Sequence, residues 1–87
     1  MISNAEHPVA WALLVYQIDD LREHLDDLAK DMADRGLIDD EEFRVRVAHA
    51  YAHLNRIWNS RADGAEDAMV RRMDEFSRFP TDIDPIG

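Results

Sequence analysis

The chain has 87 residues, 46% of them hydrophobic and 33% charged, with a formal net charge of −9 and no cysteine. That length supports one domain, near the size at which a single core gives only marginal stability. The charge excludes the basic footprint that direct nucleic-acid binding requires, and the missing cysteines exclude disulfides and thiolate metal sites.

The longest apolar run, Val9 to Tyr16, is far short of the roughly 20 residues needed to span a bilayer. No basic stretch precedes it and no small-residue cleavage site follows it, so a signal peptide is not expected. The chain therefore reads as a cytoplasmic protein that engages neither membrane nor nucleic acid directly.

Ser3 and Glu6 have the spacing of a capping box, and Pro8 suits a first helical turn. A first helix is expected over about 7–35. Within it Trp11, Leu14, Ile18, Leu21, Leu25, Leu28 and Met32 recur at alternating steps of three and four, which places them on one stripe. Gly36 can take the left-handed conformation that ends a helix, with Leu37 expected to fold back onto the last turn. Asp39 and Glu42 repeat the capping spacing, so a second helix is expected over about 40–61. Its stripe is Phe43, Val47, Ala50, Leu54 and Ile57.

Asp63-Gly64 should break that helix, and Ala65 to Phe79 reads as a shorter third helix with Met69, Met73 and Phe76 on its apolar face. Residues 80–87 read as an extended tail, more a frayed terminus than a docking segment. The fold class is all-α: an antiparallel helical hairpin plus a short third helix, forming one helical domain over 1–79.

Folding the two stripes together about Gly36 matches Met32 with Phe43, Leu28 with Val47, Leu25 with Ala50, Leu21 with Leu54 and Ile18 with Ile57. Five successive apolar layers agree without a slip. In this register one flank brings Asp31 to Arg46, His24 to His53 and Gln17 to Ser60. The opposite flank brings Ala29 to Arg44, Arg22 to Tyr51 and Val15 to Trp58. That second flank is rich in aromatics, and Trp11, Leu13, Val15, Tyr16, Tyr51 and Trp58 form more apolar surface than a hairpin and a short helix can cover. Each large side chain left in water forgoes roughly 1.5–3 kcal/mol. Self-association through this end, into a dimeric four-helix-type bundle, is the expected remedy.

Asp19, Asp20, Glu23, Asp26, Asp27, Asp31 and Asp34 give the first helix a negative row about 20 Å long at roughly 1.5 Å per residue. Such a row can imitate a phosphate backbone and occupy a basic, nucleic-acid-binding surface on a protein partner. The second helix is not acidic, with Arg44, Arg46, Arg56 and Arg61 against Asp40, Glu41 and Glu42. Its stripe Arg46, His49, His53 and Arg56 is expected to pair with acids of the first helix.

His49 and His53 have the one-turn spacing of a metal-ligating pair, and the register brings His24 beside His53. Three imidazoles with Asp20, Asp27 or Asp31 nearby could hold a divalent ion. Two flanking arginines oppose a cation there, and the Glu that follows the first His of a zinc protease is missing. The inward Glu-x-x-His pairs of diiron bundles are missing too, as are a Gly-rich loop and a nucleophile with a plausible base. No enzyme activity and no cofactor are expected. The leading expectation is an inhibitor or adaptor that engages a basic surface of a larger complex. An assembly factor binding through the Trp11/Tyr16/Trp58 end comes second, and a small metal-binding bundle third.

Overall fold

The computed structural model describes residues 1–61 and 69–87. Helix α1 spans Pro8–Arg35 and α2 spans Asp40–Asn59, packed against each other as an antiparallel hairpin. Among the described residues there is no strand, and no helix is long and apolar enough to cross a membrane.

Local chemistry sets the helix ends. Ser3 accepts from the Glu6 backbone N–H at 3.3 Å, closing a turn that leads into α1 at Pro8. Gly36 sits at φ 71° and donates its N–H to Met32, a left-handed stop that only glycine adopts without strain. Asp39 caps α2 by accepting from the Glu42 N–H. Glu42 does not return the bond. It takes the Arg35 guanidinium at 3.0 and 3.2 Å instead, so an ion pair clamps the turn from outside. Leu37 does not fold back onto the last turn but stays exposed.

Helix α2 ends two residues earlier than its periodicity suggests. Ser60 forms the cap, and the Arg61 side chain turns back to the Trp58 carbonyl. The expected break at Asp63-Gly64 and the start of the third helix lie outside the described residues. Residues 69–71 are helical, Arg72 leaves helical backbone at φ −127° and ψ 43°, and a single turn, α3, spans Met73–Phe76. Side chains of α2 stop this segment short of Phe79. Asn59 donates to the carbonyls of Phe76 and Arg78, Asn55 to that of Ser77, and Arg56 to the Ser77 hydroxyl.

The tail is not frayed where it meets α2. Tyr51 stacks on Phe79, Pro80 is buried, and the Trp58 indole N–H donates to Asp82 at 2.8 Å. Arg61 also holds Asp82, at 3.0 Å, while lying 3.8 Å from the Trp58 ring centre. An indole N–H needs an acceptor, and this tail supplies one.

The core differs from the five even layers. Leu14, Leu21, Leu28 and Ala50 are buried, but their expected mates Leu25, Leu54 and Val47 are half exposed, as are Ile18, Met32 and Phe43. The helices are rolled toward the polar flank, where Gln17 donates to Ser60 at 3.0 Å and Arg46 to Asp31 at 2.8 Å. Gln17 and Ser60 are 8% and 2% exposed. A buried amide and hydroxyl that satisfy each other can lie at a helix contact at little cost. Side-chain size helps the roll, since Ala50 and Ser60 allow closer approach there than Leu54 or Trp58 allow on the other side.

Candidate functional site

The roll leaves three features on the surface. The first is an apolar groove on the open flank. Ile18 is 52% exposed, Leu25 47% and Leu54 56%, and Met32, Phe43 and Val47 extend the strip toward the turn. At the other end the docked tail raises a wall, producing a cleft of about 670 Å³ between α1, α2 and the tail. Trp11, Val15, Tyr51 and Trp58 all line this cleft, with Phe79 and Ile83 opposite. Leu13 and Tyr16 do not line it. At about 100° per residue they fall on the acidic and polar side of α1, and Tyr16 stands exposed there. Arg22 and Arg44 do not cross the groove either, since each pairs within its own helix, with Asp19 and Glu41.

The second feature is the acidic arc of α1. Several of its charges are already engaged. Asp19 pairs with Arg22, Asp31 with Arg46 and Asp34 with Lys30, and Asp20 faces two histidines. Glu23, Asp26 and Asp27 are exposed, with no ionic partner among the described residues.

The third feature lies at the middle of the polar flank. His49 and His53 stand one turn apart on α2, and Asp20 and His24 one turn apart on α1, so each helix offers one pair to the other. The Nε2 atoms of His49 and His24 are 3.4 Å apart, and those of His53 and His49 are 3.1 Å apart. One ligand atom from each of the three rings falls within 4.8 Å of the other two. Asp20 borders the cluster, one oxygen 3.6 Å from His24 Nε2 and the other 3.7 Å from His53 Nε2.

His53 is buried and His49 is exposed, so the cluster has a dry floor and an open mouth. Burial pushes the His53 pKa down, with Arg56 and His49 adding to the effect and Asp20 opposing it. The two arginines that flank the cluster in sequence are turned to other partners, Arg46 to Asp31 and Arg56 to Ser77.

Periodicity anticipates the histidine cluster because one register places its members on facing helices. Asp20 as the closest carboxylate follows from its four-residue spacing to His24. The tail's part in the apolar cleft was missed. The available signals were a tryptophan needing an acceptor and a tail carrying Phe79, Ile83 and Asp82.

Fold and surface together define a small all-α hairpin strapped by its own C-terminal segment. No known protein family, curated protein or solved structure matches the chain.

Proposed function

We propose that this chain is a non-enzymatic interaction module. Two copies close their apolar grooves on each other as a four-helix bundle and turn their acidic α1 arcs outward toward a partner with a basic surface. The observation that supports this reading is the half-exposed strip from Trp11 to Phe43. Nine large side chains on the facing stripes of α1 and α2 stand about half exposed, which is more than isolated surface leucines would present. A face made by two helices, one of 28 residues and one of 20, suits the roughly 800 Å² per partner of a standard stable interface. A second copy fits it by symmetry, because the same strip of apolar side chains meets itself.

Glu23, Asp26 and Asp27 support the second half of the proposal. At about 100° per residue Glu23 and Asp27 lie away from the groove and Asp26 at its edge, so dimerisation leaves Glu23 and Asp27 in solvent as a negative patch. The cleft walled by the tail favours a second reading, in which the open end receives an apolar segment of a different protein.

Light scattering at micromolar concentration is expected to give twice the 10.1 kDa chain mass. Leu25→Glu with Leu54→Glu is expected to give a monomer with an unchanged helical circular dichroism spectrum. A wild-type monomer would overturn the dimer. For the acidic face, a partner captured from the native host should dissociate as salt rises. A complex that ignores salt and survives Glu23→Gln with Asp27→Asn removes that half of the reading.

A further inference from the structure

We infer that Asp20, His24, His49 and His53 form a binding site for a divalent transition-metal ion of the zinc class, which bolts α1 to α2 at mid-hairpin. The inference is independent of dimerisation, since all four groups come from one chain, and of the acidic arc it uses only Asp20.

Spacing is the first argument. Zinc binds imidazole nitrogen at about 2.0–2.1 Å, so neighbouring ligand atoms of a tetrahedral site lie roughly 3.3 Å apart. Two of the three nitrogen pairs, at 3.1 and 3.4 Å, already have that separation, and the third closes from within 4.8 Å. Asp20 borders His24 and His53 through different oxygens, at 3.6 and 3.7 Å, so a rotation of its side chain is what brings one oxygen to the ion.

The donor chemistry is the second. Three imidazole nitrogens lie within 4.8 Å of one another, the Asp20 carboxylate borders two of them through separate oxygens, and each neutral imidazole brings a single ring proton. At most two Nε2 protons can be shared round the ring of four contacts, and the Asp20 contacts are longer than a good hydrogen bond. A dication at the centre meets all four lone pairs at once. Three imidazoles and one carboxylate are borderline ligands that suit zinc, nickel or copper and do not suit magnesium or calcium.

The scaffold is the third. Two helical four-residue pairs face each other across a packed contact, with buried Leu21 and Ala50 beside them, so the ligands are held before any ion arrives. With Asp20 turned in as the fourth ligand, the protein closes the coordination sphere, which is the arrangement of a structural site and not of a catalytic one.

Calorimetric titration of the full chain with zinc chloride is expected to show one ion per chain with a dissociation constant in the micromolar range or tighter. His49→Ala and Asp20→Asn, both at accessible positions, should each keep the wild-type circular dichroism spectrum. The histidine variant should weaken zinc binding by about a hundredfold, and the carboxylate variant by about tenfold or more. Cobalt(II) substitution should give the intense visible bands of tetrahedral coordination, and zinc should raise the melting temperature where magnesium does not. Absence of saturable zinc binding, or His49→Ala binding as tightly as wild type, would overturn the site.

Discussion

The two flanks of the α1–α2 contact carry opposite chemistry and opposite exposure. On the polar flank Gln17, Ser60 and His53 are buried, and Arg46 meets Asp31. On the apolar flank Ile18, Leu25, Leu54 and Phe43 stand half in water. A hairpin arranged for its own stability alone would do the reverse, because burying leucine is favourable and burying an amide is at best neutral once bonded. On the polar flank side chains find their partners within one chain, whereas on the apolar flank large side chains stay half exposed.

That contrast can be broken from either side. The largest effect is expected on the polar flank. Gln17→Ala leaves the buried Ser60 hydroxyl without its amide partner and should cost about 1–3 kcal/mol by chemical denaturation. Gln17→Leu with Ser60→Ala should recover most of that loss, since removing both members of a buried polar pair is nearly neutral. A single variant without effect would mean that the seam does not hold the hairpin.

On the apolar flank, Leu25→Glu with Leu54→Glu should abolish association yet change the stability of the isolated chain by no more than about 1 kcal/mol. Equal damage to fold and association would erase the distinction between the flanks.

The smallest effect concerns the wall of the cleft. The Trp58 hydrogen bond holds the Asp82 carboxyl below its usual value, against an opposing desolvation and with further help from Arg61. A depressed carboxylate stabilises docking above its unfolded pKa, and the stabilisation is lost as pH falls through the lower folded value. Tail docking should therefore be constant from pH 7 to 5 and fail only below about pH 4, the ordinary carboxylate range. Tryptophan emission reports this as a red shift on acidification, and Asp82→Ala should show that shift already at neutral pH. An identical acid response in the variant and the wild type would mean that Asp82 does not hold the tail.

Much of the hairpin was legible in local chemistry. Gly36 had to end α1, Asp39 capped α2, and steps of seven brought Asp31 to Arg46, the histidines together and Gln17 to Ser60. The exposed mates Leu25, Leu54 and Val47 were not legible. Periodicity marks the stripe a helix can bury but not how far the helix rolls about its own axis. The strap from Phe79 to Asp82 was hidden for a related reason: an aperiodic segment carries no pattern, and its place depends on acceptors and rings supplied by α2.

By itself, then, the order of residues determined two helices, the glycine corner between them and the register in which they meet. Each of these depends on steps of a few residues or on a repeat of seven. Only the tertiary structure decided which flank closes, which leucines stay wet, and that Asp20 and three imidazoles converge within a few ångströms. Those outcomes turn on side-chain volumes meeting across a contact, where Ala50 and Ser60 allow an approach that Leu54 and Trp58 prevent.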